Sequence, residues 1–320
     1  MDMFPLRLAV LLVVLLCGTS NVFGDDAQAE ALLQQGKVDE ASAMLSERLA
    51  AHPDDAQAHQ LLCRVYYAQD LGTSAVPECE LAVANAPTSS EDELWLGRAY
   101  GLKASQANPL VAFSIAKKVR IAFERAVQLD PANVQAMNDL GEFYVAAPGI
   151  VGGGLDKAEA LAVQMMPRSA WRTHRLLARI ANKKKDYVTA EAEFRAAVAT
   201  GKTPQAYVDL AQFYYQQNKP DQALAAIQGC IAADRRKDAV LVDAASLLIE
   251  MHRSPELAAS LLRDYLSSPA KSDETPAFKV HVKLAELLAQ LGDKPGSHEE
   301  YVAAVALASN YVPARKALQG

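Results

Sequence analysis

The sequence predicts an all-α protein built from repeated helix pairs. Alanine accounts for 59 of the 320 residues, and alanine is the strongest helix former but a poor strand former. The chain also resembles itself after a shift of 34 residues. The recurring positions are Ala41, Leu45 and Pro53, which return as Ala75, Cys79 and Pro87. A composition that is 51% hydrophobic excludes a disordered or collagen-like chain.

The first 24 residues have the pattern of a secretory signal. One basic residue precedes the apolar run Leu8–Leu16, and small residues follow it. A run this short cannot span a membrane as a stable helix. We therefore predict cleavage after Gly24 and a mature chain exported to the periplasm or the cell exterior. The alternatives are a buried N-terminal helix, or lipid attachment at Cys17, where Leu16 occupies the place of a small residue.

The charge of the chain disfavours general nucleic-acid binding. The net charge is −6, and removal of the signal leaves it unchanged because that segment holds one acid, Asp2, and one base, Arg7. Nucleic-acid binding favours basic stripes, which a mildly acidic protein lacks. No second apolar run approaches membrane-spanning length, so neither a nucleic-acid partner nor a membrane span is predicted.

Two short motifs alternate along the chain. In the first, leucine precedes a small residue, and a large residue follows three positions later. It occurs at Leu62-Cys63, Leu96-Gly97, Leu140-Gly141, Leu177-Ala178 (without the large residue), Leu210-Ala211 and Leu284-Ala285. The second motif spaces small and large residues as in Ala190/Phe194/Ala197, Ala223/Ile227/Cys230 and Ala258/Leu262/Tyr265. Proline follows several of the second motifs, because it cannot continue a helix.

This pattern resembles the tetratricopeptide repeat, which has a Leu-Gly, a Tyr, an Ala, an aromatic residue and a closing Pro over 34 residues. The resemblance implies a right-handed superhelical solenoid of about eight antiparallel helix pairs, covering residues 25–318. The units lie near 27–55, 56–89, 90–133, 134–170, 171–203, 204–238, 239–277 and 278–312, with a capping helix at 313–318. Since end repeats have one neighbour each, we expect such an array to unfold from its ends.

The spacing of small and large residues has a physical reason. Small residues such as Gly97, Gly141 and Ala190 allow two helices to approach closely. Large residues such as Phe123 and Phe194 fill the space around those contacts.

Three segments depart from the 34-residue period. About ten residues are inserted near Gly101–Pro109, before a long predicted helix, Leu110–Leu129. Glycine-rich Pro148–Gly154 separates the helices of the fourth unit, and the polar linker Ser267–Pro276 precedes the last one. The lengthened third unit together with the glycine loop resembles a subset of bacterial exported repeat proteins.

The glycine loop does not have the pattern of a phosphate site. A phosphate-binding loop requires Lys and Ser or Thr after its last glycine, but Leu155 and Asp156 stand there. We predict instead a wide turn, with Ile150 and Val151 packed into an adjacent repeat.

No catalytic or metal-binding pattern stands out, so we predict neither an enzyme nor a cofactor. The six histidines include no pair with metal-ligand spacing, and no G-x-S-x-G elbow occurs. His59 and His281 fall in first helices, where half-buried packing roles are expected.

Three cysteines remain after the signal is removed. Cys63 and Cys79 lie on the two helices of the second unit and face the same seam. This placement allows a disulfide in an oxidising compartment, and equally allows two small buried thiols. Cys230 occupies a position where alanine commonly packs.

The resemblance places a binding groove on the concave face, which first helices line. The candidate partner-binding residues are Arg64, Tyr67, Arg98, Asn138, Arg172, Arg175, Arg179, Gln212 and Tyr215. Gln60, Leu94 and Glu142 belong to the same face, and later units contribute Asp243, Glu250, Lys279 and Glu286. The carboxylate clamp of chaperone-binding repeats is not reproduced in order.

Three of these arginines, Arg172, Arg175 and Arg179, share one helix face at i, i+3 and i+7. They suit an acidic partner. They equally suit a solvated helix face, or pairing with Glu142 and other acids on neighbouring helices.

Two function classes follow from these observations. The first is a non-catalytic exported scaffold or adaptor that binds a protein or peptide in the concave groove. The second is a small-ligand or transport-accessory protein, with a pocket lined by Phe113, Phe143, Tyr144 and Ile150. The partner's identity and the oligomeric state are not encoded in any pattern we find.

Overall fold

A computed structural model describes residues 19–319 of the chain. Residues 1–18 of the predicted signal lie outside this range, and helix α1 runs through the predicted cleavage position at Gly24. Within the described residues the fold is all-α, with 17 helices arranged as eight antiparallel pairs and one capping helix. The sequence prediction of the fold class is confirmed.

The helix pairs follow one another along the chain. In order they are α1 Thr19–Gln34 and α2 Val38–Ala51, α3 Ala56–Ala68 and α4 Gly72–Asn85, α5 Ser90–Ser105 and α6 Pro109–Leu129, α7 Val134–Ala146 and α8 Leu155–Met165, α9 Ala170–Lys183 and α10 Tyr187–Gly201, α11 Pro204–Gln216 and α12 Pro220–Ala233, α13 Val240–Glu250 and α14 Pro255–Ser267, α15 Ala277–Gln290 and α16 Lys294–Leu307, and the cap α17 Val312–Gln319. Each unit predicted between residues 56 and 312 contains one of these pairs.

Polar caps explain where many of the helices begin. The Asp55 carboxylate accepts from the Ala58 backbone N–H at 3.0 Å, and the Asn133 amide oxygen accepts from Ala136 at 2.9 Å. Such caps satisfy N–H groups that have no partner inside the helix. Proline occupies the first turn of α6, α11, α12, α14 and α16, where its missing N–H is tolerated.

Close helix contacts form where the sequence places small residues. A Cβ atom on Gly97 would lie less than 3.0 Å from the ring of Phe123, and one on Gly141 would lie 2.9 Å from Leu176. Ala190 is fully buried beside Phe194 in the core of the later repeats. These contacts agree with the packing role predicted for the small positions.

The third and fourth units differ from the sequence prediction in two details. Helix α5 continues through Gly101 to Ser105, so the inserted residues lengthen α5 and the 21-residue α6 and form no long loop. In the glycine segment, Gly149–Val151 forms a 3₁₀ turn. Val151 is buried as predicted, but Ile150 is 74% exposed and the prediction that it packs inward is wrong.

The polar linker, residues 268–276, is held in place. The Tyr265 hydroxyl donates to the Thr275 carbonyl at 2.6 Å and accepts from the Ser272 backbone N–H at 3.1 Å. Ser268 Oγ donates to the Arg236 carbonyl at 2.9 Å. The linker is therefore anchored by Tyr265 of the seventh repeat and by Arg236 in the turn before it, although its sequence has little apolar content.

The two ends of the solenoid meet. One apolar cluster joins buried residues of α1–α3, such as Leu33, to residues of the last repeat and the cap, such as Phe278. A Cβ atom on Gly36 would lie 3.0 Å from the Ala277 nitrogen. The Ser309 backbone N–H donates to the Asp39 carboxylate at 2.7 Å. The first and last repeats thus have neighbours on both sides, contrary to the open array expected from the sequence.

Candidate functional site

The first helices of successive repeats form a continuous surface, which we call the inner face. Their side chains bond across the repeat boundaries: Arg98 Nε on α5 lies 2.7 Å from Asp139 on α7, and the Tyr215 hydroxyl on α11 donates to the Glu250 carbonyl on α13 at 3.1 Å. The candidate residues from the sequence lie on this face, and most of them fall into two clusters.

The first cluster is built around Trp95. The guanidinium carbons of Arg64 and Arg98 lie 5.1 and 4.7 Å from the Trp95 ring centroid. Tyr67 meets the same indole edge-on, with ring centroids 5.5 Å apart, and the indole N–H donates to Glu91 at 2.9 Å. Cation–π contacts and packing fix the orientation of both arginines.

The linker contacts this first cluster. Arg64 Nε donates to Asp273 at 2.8 Å, and Arg98 Nη1 donates to Glu274 at 3.0 Å. Gln135 Nε2 on α7 donates to the same Glu274 oxygen at 3.2 Å. Two adjacent acidic side chains of a non-helical segment are therefore held by three successive repeats.

The pKa values of the residues around Trp95 reflect this arrangement. Burial lowers the pKa of Arg64, but the Asp273 hydrogen bond and charge outweigh it and hold the pKa above its ordinary value. Arg98 behaves in the same way, with Asp139 and Glu274 as its partners. Burial also raises the pKa of Tyr67, which therefore stays neutral.

The second cluster surrounds Arg175 on α9. Arg175 donates to Asp209 at 2.7 Å, to Glu142 at 2.8 Å and to Asn138 at 2.9 Å. Arg179 Nε lies 2.6 Å from the other oxygen of Glu142. The structure thus pairs these two arginines with acids on neighbouring helices, which is one of the alternatives left open by the sequence.

The remaining candidates lie outside these two networks. Arg172 stacks over Trp171 at 4.6 Å and forms no ion pair within the described part of the chain. Burial and the charge of Arg175 lower its pKa. Gln212 and Tyr215 lie further along the inner face on α11 and are half-buried. Leu94 is fully buried and belongs to the core, so its assignment to the groove is wrong.

The inner face becomes acidic towards the C-terminal repeats. Solvent reaches the side chain of Asp243 on α13, but the surrounding protein removes much of its hydration. Burial, followed by the negative charge of Asp209, raises the pKa of Asp243 to about 6. A basic and aromatic half therefore meets an acidic half along the same face.

Two of the four residues expected to line a pocket near the glycine loop are exposed. Ile150 is exposed and Phe113 is partly so; the two described cavities lie elsewhere. One, of about 450 Å³, borders Arg64 and is lined by polar residues including Gln60 and Asp92.

The last three glycines of the loop use their backbone N–H groups inside the protein and do not offer them to a phosphate. The N–H groups of Gly152, Gly153 and Gly154 donate to the carbonyls of Gly149, Pro148 and Tyr144. Gly152 has a φ of +97°, and a Cβ there would collide with the Arg120 side chain. The loop therefore serves the packing of α6 against the fourth repeat.

The cysteines of the second repeat are paired in the structure. Cys63 and Cys79 are joined by a disulfide that links α3 to α4, with Cα atoms 5.3 Å apart. Cys230 is a buried free cysteine, and burial raises the pKa of its thiol to about 12. A thiol with this pKa is unreactive at neutral pH.

Sequence reasoning missed several residues of the site. Trp95, Gln135, Asp139, Asp209, Asp273 and Glu274 complete the two clusters. Trp95 could have been found, because it directly follows Leu94 and is one of two tryptophans. The linker acids gave no such indication, since they meet their partners across 139 to 209 residues of chain.

A second missed feature repeats along the chain. Three first-helix histidines pair with glutamates 19 residues later, with Nδ1 to Oε2 distances of 2.7, 2.7 and 2.5 Å. The pairs are His59 with Glu78, His174 with Glu193, and His281 with Glu300. They bond the two helices of one repeat, so the spacing of 19 would have revealed them in the sequence.

Neither a metal site nor a membrane span emerges from the part of the chain that the structure covers. No group of three or more metal-binding side chains occurs among residues 19–319. Over the same residues, no helix is both long and apolar enough to cross a membrane.

Comparisons with known proteins agree with this architecture. Residues 27–90 match the sequence profile of the tetratricopeptide repeat family. Yeast Tom70 is similar in structure, with a TM-score of 0.51 at 16% identity over 88% of this chain; the match spans 58% of the Tom70 chain. No curated protein matches the sequence at a significant level.

Two bacterial structures are also similar. A tetratricopeptide repeat protein of Thermus thermophilus has 20% identity and a TM-score of 0.47, covering 71% of this chain and 98% of its own. One from Parabacteroides merdae has 14% identity and a TM-score of 0.49, covering 83% of this chain and 97% of its own. Residues 27–90 thus match the tetratricopeptide repeat family, and the described chain has the fold of a solenoid of that type.

Proposed function

We propose that this protein is an exported, non-catalytic scaffold that binds a segment of a protein partner on its inner face. The tetratricopeptide fold itself suggests protein interaction. The observation that carries the proposal is the linker, a non-helical segment whose side chains bond to α3, α5 and α7. A surface that holds one such segment has the shape and donors to hold another.

Export is supported by the apolar N-terminal run and by the Cys63–Cys79 disulfide, which suits an oxidising compartment. The absence of catalysis is proposed because Arg64, Arg98 and Arg175 of the inner face are paired with carboxylates and no nucleophile with an adjacent base stands out on that face.

A small-ligand role has less support. The aromatic residues proposed to line its pocket do not enclose one, and the described cavity beside Arg64 is polar. Enclosed apolar surface is what most small-molecule sites provide.

Site-specific photo-crosslinking tests the proposed function. A photoreactive phenylalanine analogue would replace Gln212 or Arg179 on the inner face, and Val188 or Val163 at exposed positions of second helices as matched controls. We expect partner adducts in the native envelope from the inner-face positions alone. Adducts of equal yield from the controls, or none from the inner face, would refute the proposal.

A further inference from the structure

The linker occupies the inner face in the manner of a bound peptide. We define the arginine platform as Arg64, Trp95, Arg98 and Gln135. Asp273 is 7% exposed, and its charge is compensated by Arg64. Glu274 is bonded by both Arg98 and Gln135, although about half of its side chain stays in solvent.

The platform is organised independently of the linker. Both guanidinium groups lie over the Trp95 ring, and Glu91 and Tyr67 fix the indole. Because these contacts come from α3 and α5 and not from the linker, they restrict both arginine side chains before a carboxylate binds.

The arginines keep other acidic neighbours if the linker moves away. Arg98 retains Asp139 at 2.7 Å, and Arg64 retains Glu30 at 3.6 Å. A guanidinium has five N–H donors, so one acidic neighbour leaves donors unused. Each arginine side chain can therefore keep its position and donate hydrogen bonds to a carboxylate of a partner protein.

The linker can leave the platform without repeat unfolding. Its backbone is bonded to Tyr265 through Ser272 and Thr275, on either side of the two acids, and to Arg236 through Ser268. The acidic side chains themselves reach repeats two to four, so they leave by side-chain rotation while this backbone stays in place. Only the bonds of Asp273 and Glu274 must break, and one of these acids is half-exposed. The exposed pair of Glu274 holds weakly, whereas the buried pair of Asp273 and Arg64 breaks at low cost only when another carboxylate takes the place of Asp273.

We propose that the arginine platform binds an acidic segment of a protein partner, and that Asp273 and Glu274 are an internal competitor for the same surface. The partner segment carries two adjacent carboxylate side chains in a non-helical conformation, as the linker does. This inference rests on the proposed function, since it names the chemistry of the segment that the inner face binds.

Peptide binding tests the competition. The probe is a fluorescent synthetic peptide of residues 271–276, and its control carries Asn and Gln in place of the two acids. The proteins are the full chain, the opened variant Asp273→Asn with Glu274→Gln, and a matched variant Glu256→Gln with Asp264→Asn. The matched variant removes the same charge from α14 and leaves the linker intact.

We expect the opened variant to bind the acidic peptide about tenfold more tightly than the other two proteins, as loss of an internal competitor would cause. Added salt should weaken this binding. Equal affinity for all three proteins, or equal binding of the amide peptide, would overturn the proposal. So would binding that survives Arg98→Gln in the opened variant.

Two further measurements separate the causes of a negative result. If the opened variant loses its helical circular dichroism, a second variant with residues 270–274 replaced by glycine and serine takes its place. Crosslinking at Gln212 is independent of the peptide. A partner adduct without acidic-peptide binding would refute the platform alone, and the absence of both would refute the proposed function as well.

Discussion

Gly97 on α5 lies so close to Phe123 on α6 that a Cβ atom would come within 3.0 Å of the aromatic ring. Gly101, one turn later on the same helix, has no such neighbour within 4 Å. We therefore expect Gly97→Ala to lower the free energy of unfolding by about 1–3 kcal/mol through overpacking.

The control, Gly101→Ala, should raise the free energy of unfolding by about 0.5–1 kcal/mol, because alanine favours the helix. Urea denaturation followed by circular dichroism measures both. Equal effects of the two substitutions would mean that α5 and α6 do not approach as closely as described.

The disulfide gives a second prediction. Replacing Cys63 and Cys79 together by alanine should lower the free energy of unfolding by about 3 kcal/mol, because the bond closes a loop of 16 residues in the unfolded chain. Mass spectrometry after alkylation of the native protein should find neither of these cysteines nor Cys230 labelled. Labelling of Cys63 without prior reduction would contradict the bond.

Asp243 gives the inner face a pH dependence. Its pKa is raised to about 6, so the folded state takes up a proton before the unfolded state does as the pH falls. The ionised form therefore destabilises the fold above pH 6, and this penalty disappears as the pH falls from about 6 to 4.

Asp243→Asn should accordingly raise the melting temperature at pH 8 and have no effect below pH 4. The gain is small, because solvent reaches this side chain. Asp54→Asn, on an exposed turn, is the control for the removal of one carboxylate. If Asp243→Asn raised the melting temperature more at pH 4 than at pH 8, the predicted destabilisation by the ionised Asp243 carboxylate would be refuted.

Arg175 and Arg179 should differ in their contribution to stability. Arg175→Met leaves Asp209 and Glu142 without a shared cation in a largely buried site, and we expect a loss of about 3 kcal/mol. Arg179 is 41% exposed and makes one pair, so Arg179→Met should cost at most about 1 kcal/mol. Thermal melting compares them, and a larger loss at Arg179 would contradict the network.

Export predicts a defined N-terminus. The mature chain should begin at Asp25, which removes part of α1 but keeps the pair between Asp26 and Arg48 and the buried residues Ala29 and Leu33. N-terminal sequencing of the protein from the envelope measures this directly. An intact Met1 in a cytosolic fraction would refute export.

The repeat architecture could be predicted because the residues that determine the packing of each helix pair lie close together in the sequence. The contacts of Gly97, Gly141 and Ala190 are local to one pair or to adjacent pairs, and they recur at a fixed spacing. Gly101 misled the prediction of the insertion, since a glycine in a helix costs only about 1 kcal/mol and neighbouring residues offset it.

The candidate site could be predicted less completely. Arg64, Tyr67 and Arg98 were found because the resemblance to the tetratricopeptide repeat implies which positions face inward, but their partners in the linker follow no period. Arg175 was found as a candidate for binding, whereas Asp209, which neutralises it, lies 34 residues further along the chain. Periodicity shows which residues share a face and does not show which charges on that face remain available.

Because the first and last repeats pack against each other, the contacts between successive repeats form a closed circle. A linear array is expected to unfold from its two ends. Here neither end is free, because Leu33 of the first repeat and Phe278 of the last repeat lie in the same buried cluster. New termini placed at a turn between repeats, with the old ends joined by a short linker, would then preserve every repeat interface.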